Sequence, residues 1–215
     1  MGATKIMVIR HAERPDTYEG KRFYGVNPIG DAAGKEGRKH LITLGWQRAG
    51  ALVPLFSGSW GLPQGLATPD HLFASDPEIN GHIDDVAGPS QRPYETLVPT
   101  AAKLGKRIDT SYKKDEYGKM VAKALGKKGA VLIAWQHEDI PLRNKVGKEG
   151  ISQEILDQTG TPLGDFSIPK NWPKGPQGAR YDLIFVFDRP NGEGPIQKFH
   201  LLGQMLLAGD DVPAP

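Results

Sequence analysis

Apolar residues along the chain come in two rhythms. Short unbroken runs, KIMVI (5–9) and AVLIAW (130–135), carry the pattern of strands buried on both faces of a sheet. HLFAS (71–75) and YDLIFVFD (181–188) extend that set. PIQKFHLL (195–202) follows the last of them across RPNGEG, whose Asn-Gly is a hairpin turn signal.

The second rhythm is helical. TLGWQRAGALVPLF (43–56) puts Leu44, Leu52, Val53, Leu55 and Phe56 on one face, with Thr43 as N-cap and Pro54 expected to kink or shorten the helix. SQRPYETLVPTAAKLG (90–105) opens with Ser90 as cap and Pro93 in the first turn, and Pro99 is expected to divide it. EYGKMVAKALG (116–126) is the clearest helix, with Tyr117, Met120, Val121, Ala124 and Leu125 at helical spacing before Gly126. IPLRNKVG and SQEILDQTG predict two short helices after AVLIAW.

Strands alternating with helices predict an α/β fold: a three-layer α/β/α arrangement, with a mainly parallel sheet flanked by helices and finished by an antiparallel hairpin near the C-terminus. Two stretches break the rhythm and read as long loops, residues 14–39 and 160–178. No composition shift marks a linker, so residues 1–215 read as one domain, with loop insertions near 14–39, 77–89 and 160–178.

Composition narrows the class. The 27 basic and 25 acidic residues sum to +2, too mild for the concentrated basic stripe of a nucleic-acid binder. No cysteine is present, which removes thiolate metal sites, disulfides and cysteine nucleophiles. No apolar run reaches the ~20 residues of a membrane helix, and MGATKIMVIRHAERP lacks the pattern of a secretory leader. The expectation is a cytoplasmic protein with no membrane partner and no nucleic acid; oligomeric state is not legible.

Chemistry gathers at two strand ends. KIMVI runs into Arg10, His11, Ala12 and Glu13, and AVLIAW runs into Gln136, His137, Glu138 and Asp139. In open α/β sheets the ligand crevice lies outside the carboxyl ends of the parallel strands, so neighbouring strands would bring both clusters to one rim. Arg92, at the start of the helix after HLFAS, would join them. Two histidines, two arginines and acids suit reaction at a phosphate dianion. Arginine forks match its oxygens, and a neutral histidine can serve as the attacking group.

These residues carry a resemblance. The strand followed by Arg10-His11-Ala12-Glu13 resembles the signature of the histidine phosphatase superfamily, the phosphoglycerate mutase-like proteins, usually written Arg-His-Gly. TLGWQRAGALVPLF looks like its first helix. Ser90 to Thr96, with Arg92 and Thr96 four apart, is similar to its "R-A-x-x-T-A" segment, and VLIAWQHEDIP looks like the strand that delivers its second histidine. The resemblance covers roughly residues 4–207. It implies His11 as the nucleophile that becomes phosphorylated, and Arg10, Arg92 and His137 as the phosphate-binding set. It also implies Glu138 as the general acid, with Asp115 or Glu116 as the alternatives. The implied activity is hydrolysis of a phosphomonoester, on a small molecule or a phosphoprotein, with no cofactor or metal. Ala12 departs from the family's glycine, and the 14–39 loop has no family counterpart.

Other readings stand beside this one. A phosphomutase, or a non-catalytic phosphate-binding or interaction module, would use the same phosphate set. His11, Glu13, His137 and Glu138 could ligate zinc, but two arginines on the same rim would repel the cation. Arg92 could be a surface ion-pair partner, and Glu138 and Asp139 simple first-turn acids. Glu13 reads as a structural partner of Arg10 or of a backbone amide, and Arg14 as rim. His40, His71, His82 and His200 read as structural or surface residues.

Overall fold

In a computed structural model of the protein, the KIMVI run grows to strand β1, Ala3–Arg10. The structure describes residues 1–15, 17–18, 21–22, 25–26, 37, 39–58, 61–77, 90–144, 146–164, 166–175 and 178–211. His82, most of the 14–39 loop and nearly all of the 77–89 insertion lie outside them. The other sheet strands are β2 (His71–Ala74), β3 (Ile108–Asp109), β4 (Gly129–Trp135), β5 (Leu183–Asp188) and β6 (Lys198–Gly203). The helices are α1 (Thr43–Ser57), α2 (Arg92–Leu104), α3 (Tyr117–Leu125) and α4 (Ile151–Gln158).

The six strands form one sheet in the order β6-β5-β1-β4-β2-β3. β1, β4, β2 and β3 run parallel, while β5 pairs antiparallel with β1 and with β6. Because successive side chains of a strand point to opposite faces, β1 feeds two cores. Ile6 and Val8 pack with Val131, Ile133, Phe185 and the buried faces of α3 and α4. Met7 and Ile9 pack with Leu72, Leu132, Val186 and with Leu52, Phe56 and Leu97 of α1 and α2. The expected three layers and the closing hairpin are therefore present. No helix among the described residues is long and apolar enough to cross a membrane.

Several local expectations need correction. Thr43 is not the cap of α1; Ile42 occupies that position without a side-chain cap bond, and Leu44 is exposed rather than on the buried face. Pro54 does not shorten α1, which runs on to Ser57. Pro54 and Gly50, whose carbonyl loses its partner, both face solvent, so water can satisfy that oxygen. Pro99 does not divide α2 either, since burial of Leu97, Thr100 and Ala101 holds both halves to the sheet. IPLRNKVG is not a helix but a turn closed by a bridge between Arg143 and Glu149. The short strand β3 has no apolar run behind it, and its two residues are half-buried at the sheet edge.

Candidate active site

β1 and β4 are parallel neighbours whose register places Arg10 opposite Trp135. The two histidine clusters therefore leave the sheet at the same level. The His11 amide extends the ladder by donating to the Trp135 carbonyl at 3.0 Å. β2 ends alongside at Ala74, opposite Ala134, and the Gln136 side-chain Nε2 donates to Ser75 Oγ at 3.0 Å, tying the two strand ends together.

The turn after β1 is fixed from two sides. The Ala12 amide donates to Thr96 Oγ1 at 2.8 Å, and that hydroxyl donates to the Arg92 carbonyl at 2.7 Å. The four-residue spacing of Arg92 and Thr96 is thus one helical turn that links α2 to the His11 loop. Gln91, not Ser90, occupies the N-cap position of α2, but Ser90 Oγ accepts from the Arg92 amide at 3.4 Å and also holds the Arg92 side chain, accepting from Nε at 2.7 Å. From the other side, the Ile42 amide donates to the Glu13 carbonyl at 3.1 Å, and Gly45 of α1 lies against the same segment.

His11 is buried, and its Nδ1 lies 2.7 Å from the Ala12 carbonyl. A carbonyl only accepts, so Nδ1 carries the proton and Nε2 carries the lone pair. Burial, and then the charges of Arg92 and Arg10, hold this imidazole well below the usual histidine range. His137 is pushed down to about 4, by burial first and then by Arg10. Both rings are therefore neutral near pH 7.

The arginines pay for their crowding in the same way. Burial, with the charges of Arg14 and Arg92, lowers Arg10 to about 10; burial and Arg14 lower Arg92 to about 10. Arg10 is 1 % exposed and stacks its guanidinium over the Tyr181 ring, 3.7 Å from the centroid. Its Nη1 donates to the Arg180 carbonyl at 2.7 Å, yet its buried Nε has no hydrogen-bond partner among the described residues. An unmet buried donor costs ~1–3 kcal/mol, which an anion arriving there would relieve. Arg10, His11, Arg92 and His137 thus lie close enough to act on one another's charge, a cluster we call the cradle.

A cavity of about 720 Å³ shares Arg10 and His137 with the cradle and is walled further by Trp172, Pro173 and Ala179. Of the three candidate acids, Glu138 lines this cavity and is ion-paired with Lys114. Glu116 accepts instead from the Lys113 amide at 3.1 Å and from Lys119 at 2.7 Å, closing its own turn. Asp115 is exposed. Asp139 is buried, which raises it to about 6, and its Oδ2, 3.9 Å from Lys114 Nζ, has no hydrogen-bond partner among the described residues.

Other expectations move. Glu13 pairs not with Arg10 but with Arg48, whose Nε donates to it at 2.8 Å. Arg14, read as rim, lines the cavity, and its charge acts on both Arg92 and His137. Away from the cradle, His40 pairs with Glu95, His71 Nε2 donates to the Lys128 carbonyl, and His200 lies 3.5 Å from Asp188.

Sequence reasoning missed Tyr181 and Trp172. The signal for Tyr181 was available: β5 runs antiparallel to β1, so the residues just before β5 must lie beside the end of β1. Trp172 came from a stretch read as loop, and nothing in its neighbours marks it. It stacks on Phe185 at 5.5 Å, meets His137 edge-on at 6.1 Å and donates to the Arg180 carbonyl at 3.1 Å.

No protein-family model matches the sequence, and no curated protein does. Among solved structures, the chain is similar to one assigned as the phosphohistidine phosphatase SixA of Agrobacterium tumefaciens. That match has 13 % identity, covers 92 % of this chain and 97 % of that one, and has a TM-score of 0.43. It is also similar to mycobacterial glucosyl-3-phosphoglycerate phosphatase in two structures. The native form has 15 % identity, 92 % and 96 % coverage and a TM-score of 0.43. The form with inorganic phosphate has 12 % identity, 92 % and 95 % coverage and a TM-score of 0.40.

Proposed function

We propose that the chain is a phosphatase of the histidine phosphatase type, which hydrolyses a phosphomonoester through a phosphohistidine on His11. The observation that carries this reading is the state of His11. Its Nδ1–H is committed to the Ala12 carbonyl, and its neutral ring sits in the field of buried Arg10 and half-buried Arg92. A neutral imidazole with a free lone pair is a nucleophile, and fixed cations stabilise the charge on the transferring phosphoryl group.

In the first step Nε2 bonds to phosphorus as the bond to the leaving oxygen breaks. Arg10 and Arg92 hold the non-bridging oxygens, with Arg10 Nε as a donor waiting for one of them. Glu138, on the cavity wall beside His137, enters this step as the carboxylic acid, its ion pair with Lys114 given up, and delivers its proton to the leaving oxygen. In the second step it takes a proton from the water that attacks phosphorus, which returns His11 to its starting form. His137 contributes a ring N–H to the same oxygens. Splitting hydrolysis into two displacements needs only one well-placed nucleophile.

The test is hydrolysis of p-nitrophenyl phosphate in the presence of a chelator. Wild type is expected to release nitrophenol, and His11→Ala to lose ~10³-fold or more. A quenched reaction should show acid-labile, base-stable phosphate on the protein, absent from His11→Ala. Equal nitrophenol release by both proteins would overturn the assignment.

A further inference from the structure

Two carboxylates face one ammonium group at the cavity wall. Lys114 Nζ is ion-paired with Glu138 and lies 3.9 Å from Asp139 Oδ2. The two acids are sequence neighbours in unequal surroundings: the Glu138 side chain is 27 % exposed and that of Asp139 only 8 %. Lys114 is held near both, because its own carbonyl accepts from Trp135 Nε1 at 3.2 Å, which ties its backbone to the end of β4.

Asp139 is the buried acid that the reaction above leaves unused. Its amide donates to the Gln136 carbonyl at 3.0 Å, and the Asn144 side chain bonds its carboxyl. Its Oδ2 keeps no hydrogen-bond partner among the described residues. Tyr117 does not supply one, because its hydroxyl donates to the Glu149 carbonyl at 2.6 Å. A buried carboxylate with a bare oxygen is unfavourable, and a proton on it removes the penalty. Burial accordingly raises Asp139 to about 6, with Lys114 opposing and Glu138 and Asp115 assisting. The other groups facing the pair are Tyr117, which feels Asp139, and Arg92 and His137, which feel Glu138.

Resting on Glu138 as the acid of the reaction above, we propose that Asp139 is its positioning residue: the two carboxyls share one proton, and Lys114 sits on the one that lacks it. With the proton on Asp139, Lys114 pairs with Glu138, as in the structure. The exchange needs one concerted transfer. An N–H bond of Lys114 breaks as an O–H bond forms on Glu138, while the O–H bond of Asp139 breaks as a new N–H bond forms on Lys114. The ammonium is restored, the total charge is unchanged, and Lys114 is left beside the Asp139 carboxylate. Glu138 thereby becomes a carboxylic acid without drawing a proton through an occupied cavity.

The experiment measures pH profiles of kcat/KM for phenyl phosphate and p-nitrophenyl phosphate, on wild type, Asp139→Asn and Lys114→Met. Asparagine keeps the shape but can neither hold the proton nor draw Lys114 away, so Glu138 stays ionised to lower pH. For Asp139→Asn, kcat/KM on phenyl phosphate should fall about 10-fold, a part of the ~10²–10⁴-fold that a positioned acid supplies. It should fall less on p-nitrophenyl phosphate, whose leaving group needs less protonation. The alkaline limb for phenyl phosphate should move to lower pH in Asp139→Asn and to higher pH in Lys114→Met. Equal losses on both substrates, with the limb unmoved in both variants, would overturn the proposal and leave the phosphatase reading standing. Wild type that turns over neither substrate would sink that reading instead. Carboxyl NMR then decides the proposal. In wild type, Glu138 and Asp139 should titrate with the same two inflections, and in Asp139→Asn Glu138 should show one. A single independent step for each wild-type carboxyl would overturn it.

Discussion

Arg10 occupies a place that disfavours a cation: sealed from water, facing other positive charges, with one donor unmet. His137 reports the same field, its imidazole pushed down to about 4. The unfolded chain protonates this ring near pH 6.5 and the folded chain only near pH 4. The unfolded state therefore binds more protons across that window, and this group withdraws stability as the pH falls from 6.5 towards 4. Bound phosphate should reverse the field. An NMR titration of His137 is expected to move upward on adding inorganic phosphate, and by linkage phosphate binds more tightly as this ring protonates. A titration indifferent to phosphate would show that the cradle does not take the anion. At this scale, His11, Arg10 and His137 were legible because each follows a buried run onto a rim. Tyr181 and Trp172 were not singled out: the first meets Arg10 only through the antiparallel pairing of β5 with β1, and the second comes from a stretch without periodicity.

Among the elements, α1 does more for the site than its apolar stripe suggests. Gly45 lets the helix approach the segment after His11 so closely that a Cβ would lie 2.6 Å from the Glu13 carbonyl oxygen and 3.0 Å from its nitrogen. Neither backbone atom can give way without moving the His11 loop. Gly45→Ala is therefore expected to cost ~1–3 kcal/mol, seen as a lower urea midpoint, with kcat reduced as well. A midpoint and rate like wild type would mean that the approach is not needed. The type and order of the main elements could be read from periodicity alone, since buried strands and amphipathic helices advertise their periods. What failed was local punctuation. Proline was read as a breaker in α1 and α2, where tertiary burial overrides it, and Thr43 and Ser90 were read as caps. The Ser90 hydroxyl proved more useful on Arg92.

Across the whole molecule, one buried arginine joins the segment after His11 to the last described stretch. Arg48 donates to Glu13 and Gln204, and makes a two-pronged pair with Asp210 at 3.0 and 2.7 Å. Burial opposes its charge, but the bonds from Asp210 and Glu13 raise it overall. Arg48→Met would strand two buried carboxylates, and is expected to cost ~3–5 kcal/mol in chemical denaturation. Asp210→Asn, which keeps shape and one acceptor, should cost less. Equal and negligible losses would show that the residue 204–211 segment is not held by this pair.

The carbonyl of Arg180, which holds both Arg10 and Trp172, has a consequence in time as well as in space. Segments far apart in the chain find each other slowly, because loop closure must precede the contact that rewards it. β1, α1 and α2 can assemble around His11 from nearby sequence, but Arg10 gains its anchor only when residue 180 arrives. A nascent chain released from the ribosome as far as β4 would carry the histidine without its cradle. The Arg10 anchor is therefore acquired late, when β5 docks beside β1.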